Sequence, residues 1–174
     1  VYQLLNIVDL GTTFQMEIVV GEGTGVPRSA HLLDTVMARW ISWAGYPKRI
    51  VLDRGTSTKG VFNSELSKAG VHLSTIGLEA PYQIGRVERR GGVWKDIAEK
   101  VIADKRITGM ANISRLADEI NSIVNSQYRT GGFSPSQWVL GRTQQGPGGE
   151  QHDEDTAGII ESVQERVDPT SIFA

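Results

Sequence analysis

Trp40-Ile41-Ser42-Trp43-Ala44-Gly45-Tyr46-Pro47-Lys48-Arg49-Ile50-Val51-Leu52-Asp53-Arg54-Gly55-Thr56 is the stretch on which the fold turns. Its first part continues a helical spacing of apolar residues that begins upstream, at Leu33, Val36, Met37, Trp40, Ile41 and Ala44. Gly45-Tyr46-Pro47 stops that helix, because glycine accepts a left-handed cap and proline cannot extend the ladder. Arg49 to Asp53 then reads as a short buried strand ending in a carboxylate, with Arg54-Gly55-Thr56 as the turn beyond it. A helix that stops sharply and feeds a buried strand is a piece of an α/β domain.

Working outward, Gln3 to Leu10 and Phe14 to Val20 are two apolar runs separated by Gly11-Thr12-Thr13, which predicts a β-hairpin. Gly21 to Gly25 is a loop, and Pro27 and Ser29 suit a helix start. Downstream, a short helix is expected from about Val61 to Ala69, closed by Gly70, and a strand from Val71 to Ile76. Gly77 to Gly85 reads as a loop and Arg86 to Lys105 as a basic helix. Ile113, Leu116, Ala117, Ile120, Ile123 and Val124 predict another amphipathic helix, and Ser134-Pro135-Ser136-Gln137-Trp138 starts a last short one. There is no internal repeat.

Of the 174 residues, 39% are hydrophobic and 22% charged, the composition of a globular protein. No apolar run approaches the length that spans a bilayer, so no membrane association is expected. The start at Val1 has no basic leader and no initiator Met, which is expected of a piece of a longer polyprotein. Zero Cys excludes disulfides and Cys-based zinc sites and fits a reducing compartment. The three His, at 31, 72 and 152, are scattered. The net charge of −2 hides an asymmetry: 17 Lys and Arg face 13 Asp and Glu up to Arg142, and one Arg faces seven acids beyond it. A mildly basic body permits nucleic-acid binding. Beyond Arg142 the apolar pattern fails, and Gln144 to Glu150 has linker composition. The expected division is a domain over 1–143 and an acidic, Gly-rich linker or disordered tail over 144–174.

Two carboxylates hold most of the chemical content. Asp53 closes a strand, and Glu88 opens the basic helix 35 positions later. Groups at strand ends and helix starts converge at one edge of an open sheet. Oxygen ligands of this kind suit hard divalent cations. Each residue also has an ordinary structural reading: an Asp before a Gly turn caps the turn, and a Glu in a first helical turn meets the helix dipole. On spacing alone the ordinary reading is favoured.

The surrounding residues shift that balance. Trp40 to Thr56 resembles the second-aspartate block of retroelement integrases. Gly85-Arg86-Val87-Glu88-Arg89 resembles the family's glutamate block. Gly132-Phe133-Ser134-Pro135-Ser136-Gln137-Trp138-Val139-Leu140-Gly141-Arg142 resembles the motif that closes the core in long-terminal-repeat retrotransposons. The resemblance covers Leu4 to Arg142. It implies a ribonuclease H-like mixed sheet flanked by helices, with Asp53 and Glu88 as the second and third members of an Asp-Asp-Glu triad that holds Mg²⁺ or Mn²⁺. The family's first aspartate sits on a central strand before the hairpin. It is therefore expected upstream of Val1, and the fragment alone is expected to lack that strand and to be inactive. Asp9 matches a position where many relatives carry a non-catalytic Asp and reads as a turn-supporting residue, with the first catalytic aspartate as its minor alternative reading.

The same resemblance assigns DNA contacts. Arg86, Arg89, Arg90 and Lys95 would grip phosphates, which position DNA without reading its sequence. Tyr82 and Gln83 match the family's mobile active-site loop and would approach DNA. Lys100 reads as a solvated cation, and Trp40, Trp43 and Trp94 as core residues. Arg54, Ser57-Thr58 and the helix-softening Gly91 and Gly92 depart from the family pattern. The implied activity is DNA 3′-end processing and strand transfer in the nucleus, by a homo-oligomer of the full-length protein. Two other readings are a decayed or domesticated DNA-binding domain without catalysis, and a nuclease of the same fold that does not join ends.

Overall fold

The two apolar runs at the start of the chain pair as expected. β1, Tyr2–Val8, and β2, Gln15–Glu22, form an antiparallel hairpin in which Asn6 stands opposite Glu17. The computed structural model describes residues 1–52, 60–75, 81–127, 129 and 132–142. Asp9 supports the turn, as read from the sequence: its Oδ2 accepts from the Thr12 backbone N–H at 2.9 Å and from the Thr12 hydroxyl. Thr13 takes a positive φ of 62° to close the loop.

The next helix starts at Ser29, as α1, Ser29–Val36. It runs on through a π-helical turn, Met37–Ile41, into α2, Ser42–Ala44. Gly45, at φ 76°, ends it where the sequence placed the stop. The wide turn changes the phase of the residues beyond it, since a π turn holds an extra residue. Leu32 and Val36 are buried, but Trp43 is 45% exposed rather than a core residue. It stacks at the rim on Phe14 and Trp40, with ring centroids 5.5 Å away in each case.

β3, Arg49–Leu52, pairs in parallel with β4, His72–Thr75, and α3, Val61–Lys68, is the crossover between them. Among the described residues β1–β2 and β3–β4 are separate two-stranded sheets with no ladder between them. The strands of the expected mixed sheet are thus present, among the described residues, as these two pairs. Ile18 and Val20 of β2, Leu32 and Val36 of α1, and Phe62 and Leu66 of α3 contribute to one core beneath both pieces.

α4, Pro81–Lys105, begins five residues before the expected start at Arg86. Proline suits a first helical position, where its missing N–H has no intrahelical role. Tyr82 and Gln83 therefore lie in the first turn of a helix and not in a loop. α5, Met110–Gln127, packs against α4, and Trp94, Ala98, Leu116 and Ile120 form a second core with Val19 beside it. Trp94 is a core residue, as expected. α6, Pro135–Leu140, has a capping box between Ser134 and Gln137, Pro135 at its start, and Gly141 in the left-handed region at its end.

α5 also closes the free edge of β2. Asn125 accepts from the Gln15 N–H at 2.9 Å and donates to the Gln15 carbonyl at 2.7 Å. Asn121 does the same for Glu17, at 2.9 Å each way. Four helical residues rise about 6 Å, and two strand residues span about 6.8 Å, so one amide per helical turn matches one outward pair of the strand. The expected tail over 144–174 lies outside the described residues.

Candidate functional site

α4 carries the candidate residues, and its two faces differ. Val87, Gly91, Trp94, Ala98 and Val101 turn inward, while Glu88, Arg89, Gly92, Lys95, Asp96 and Glu99 are exposed. The Glu88 side chain has no hydrogen bond or ion pair among the described residues, so its exposed carboxylate is open to a ligand. Lys95 is seven residues on, close to two turns, and shares that face. Its Nζ is 3.8 Å from Glu99, and Lys100 meets Asp96 at 2.7 Å. Exposed pairs of this kind contribute little, and Lys95 can exchange Glu99 for a phosphate at small cost.

Arg90 has a different role from Arg89. Arg89 is exposed, whereas Arg90 is half-buried and donates through Nη2 to the Thr13 carbonyl at 2.7 Å. That bond ties α4 to the hairpin turn. Asp53 lies outside the described residues, as do the side chains of Tyr82, Gln83 and Arg86; β3 is described to Leu52, the residue before Asp53. Oxygen donors such as the Glu88 carboxylate suit Mg²⁺ or Mn²⁺. Among the described residues, no three or more His, Asp or Glu side chains gather into a metal cluster.

Beneath Glu88 lies a group that the sequence did not reveal. Asn6 donates to the Val87 carbonyl at 3.5 Å. Opposite it Glu17 is only 4% exposed. Burial pushes the Glu17 carboxyl up to about 7, opposed by the hydrogen bond from Gln15. Gly91 faces both: a Cβ there would stand 3.0 Å from Asn6 Nδ2 and 3.3 Å from Glu17 Oε1. Asn121 and Asn125 were also missed, although two amides four apart on the apolar face of a predicted helix are a signal of buried partners.

A separate open cleft of about 350 Å³ lies between α1 and α5, with Glu17, His31, Asp34, Arg39 and Asp118 among its walls. An Arg39–Asp118 ion pair bridges the two helices. Among the described residues, none of those expected to bind metal or DNA lines it. No helix of the described residues is long and apolar enough to cross a membrane.

No protein-family model and no curated protein matches the chain. Solved structures do match. The HTLV-2 integrase catalytic core domain in complex with magnesium, in its dimeric form, has a TM-score of 0.60 at 19% identity over 78% of this chain and 82% of that one. Its trimeric form gives 0.60 at 18% identity, over 78% and 83%. The simian T-cell lymphotropic virus intasome, in complex with the PP2A regulatory subunit B56 gamma, gives 0.55 at 16% identity, over 78% of this chain and 51% of that one. The hairpin with its free edge closed by α5, the parallel β3–β4 unit and the long α4 are therefore one recognisable arrangement: this chain has the ribonuclease H-like fold of retroviral integrase catalytic cores.

Proposed function

We propose that this chain is the catalytic core of a retrotransposon integrase, carried in a polyprotein and acting on DNA ends in the nucleus. The observation that carries the proposal is Glu88: an exposed carboxylate, without partners among the described residues, on the sheet-docked helix of an integrase-like fold. Asp53 and Glu88 would hold Mg²⁺ or Mn²⁺. Bound there, such ions would supply Lewis-acid activation of an attacking oxygen and stabilisation of a leaving one. The chain's own work is then to fix the carboxylates and the DNA. Arg89 and Lys95 would bind phosphates from the exposed face of α4, with Arg86, Tyr82 and Gln83 nearer its start. Arg90 would hold the helix and add its positive charge beside the DNA backbone. Magnesium in the HTLV-2 core and the dimeric, trimeric and intasome forms of the neighbours support a metal, a homo-oligomer and a DNA partner.

The deciding experiment uses the full-length parent with Mg²⁺ or Mn²⁺ and a duplex oligonucleotide bearing the element's terminal sequence. The proposal expects 3′-end trimming followed by joining to a target plasmid. Cleavage without joining would establish the nuclease reading. Binding with neither reaction would establish the non-catalytic one.

A further inference from the structure

The β1–β2 hairpin grips α4 at three places that bracket Glu88. Asn6 donates to the Val87 carbonyl, Arg90 donates to the Thr13 carbonyl, and Gly91 rests on the Asn6 and Glu17 side chains. Val87 precedes Glu88, and Gly91 lies almost one turn beyond it. A helix held at these points cannot rotate or slide without moving the Glu88 carboxylate.

Asn6 and Glu17 stand opposite each other in the hairpin register, both reach Gly91, and Asn6 has an unfilled bond. Asn6 Oδ1 is buried without a hydrogen-bond partner among the described residues. A buried acceptor left unpaired is costly. A neutral carboxyl has an O–H to give, and a carboxylate has none. We propose that Asn6 and Glu17 are positioning residues for Glu88, forming a clamp that is closed when the Glu17 carboxyl carries a proton donated to Asn6 Oδ1 and loosened when that proton leaves.

The inference rests on the integrase reading of Glu88, but the clamp itself is a property of the fold. Burial supports the neutral form, since it holds the Glu17 proton to about pH 7. The charged groups around it are few. β1 has none between Tyr2 and Val8. On α4, Glu88 and Arg89 are exposed and Arg90 is turned to Thr13. On α5, Asp118 and Glu119 are exposed. Across the open cleft stand His31, Asp34 and Arg39. Gly91 completes the arrangement, because a side chain there would press on both members of the pair.

Hydrogen exchange on this chain tests the clamp directly. Amides from Val87 to Trp94, corrected for intrinsic rate, should lose at least fivefold protection between pH 5.5 and 8.5. In Glu17→Gln the protection should stay at one level, because an amide keeps its donor at every pH. Asn6→Ala should give low protection at both pH values. Equal pH dependence in wild type and Glu17→Gln, or full protection in Asn6→Ala, would overturn the clamp. In the full-length parent, end trimming of the same oligonucleotide gives the second readout. Asn6→Ala should lower kcat at least tenfold with little change in KM for DNA, while Glu17→Gln should keep wild-type kcat and flatten its decline above pH 7. Loss confined to KM would overturn the positioning role. Full activity in Glu88→Gln would instead sink the catalytic reading, and the exchange result would still decide the clamp.

Discussion

Asn121 binds both main-chain groups of Glu17, with the N–H and the carbonyl each at 2.9 Å. The same amide oxygen accepts from Trp94 Nε1 at 3.0 Å. One side chain therefore joins β2, α4 and α5, and it does so in the interior, at 6% exposure. Asn121→Ala should remove three hydrogen bonds and leave buried groups unpaired. A loss of about 3 kcal/mol is expected, from the cost of roughly 1–3 kcal/mol per unsatisfied buried group. Urea denaturation of the chain measures it. A change below experimental error would show that α5 does not close this edge.

Gly91 and Gly92 are adjacent in α4, yet the structure separates them. A Cβ at Gly92 meets nothing within 4 Å, whereas one at Gly91 meets Asn6 and Glu17. Gly92→Ala should raise stability by about 0.5–1 kcal/mol, the usual helix gain. Gly91→Ala has the same helix gain but must push the Asn6–Glu17 pair aside, so its net effect should be a loss of about 1 kcal/mol. Thermal unfolding of the two variants compares them. A gain in both would mean that α4 does not press on the hairpin here.

Glu17 makes stability depend on pH in an unusual direction for a carboxylate. Its folded value is raised to about 7 from the ordinary 4.5. Between these values the folded state keeps a proton that the unfolded chain has released. Stability should therefore be greatest below about pH 4.5 as far as this group is concerned, and fall as pH rises toward 7, by about 3 kcal/mol at most. Denaturant melts across this range should show the slope in wild type and not in Glu17→Gln. A slope of the same size in both would assign it to other groups.

The edges of β1 and β3 that are unpaired among the described residues bear on handling of the isolated chain. Each strand is paired on one side among the described residues, and Leu4 on β1 is 40% exposed. Open strand edges template pairing with other chains. The isolated chain should self-associate, and Leu4→Lys should reduce this several-fold in light scattering at equal concentration. A wild-type chain that melts cooperatively as a monomer would count against the open-edge reading.

Metal and DNA functions should separate by residue in the full-length parent. Glu88→Gln keeps shape but removes the charge that would hold a cation, so trimming and joining should fall together by at least a hundredfold. Lys95→Ala should weaken DNA binding and lower its salt dependence by about one counterion, with chemistry on bound DNA better preserved. Gel-shift titrations at several salt concentrations and single-turnover assays distinguish the two. The reverse ranking would make Glu88 only a helix-start residue.

The local elements of this protein were legible in its residue order. Hydrophobic period, the Gly45 stop, the Asp9 turn and the Ser134 cap act over a few neighbouring residues, and the structure contains them where the sequence put them. The start of α4 at Pro81 and the exposure of Trp43 were not legible, because a helix can absorb a glycine or a π turn without a break in composition. The integrase-like motifs named Asp53 and Glu88, while the setting of Glu88 was decided in three dimensions. Asn121 and Asn125 reach residues 104 and 110 positions away, and Asn6 reaches Val87 across 81. No local pattern states which partner a buried amide will find or whether a strand carboxyl will keep its proton. Those outcomes depend on the groups that pack across the sheet, so only the folded arrangement determines why Gly91 is a glycine, what Arg90 holds, and how Glu17 bears on the helix of Glu88.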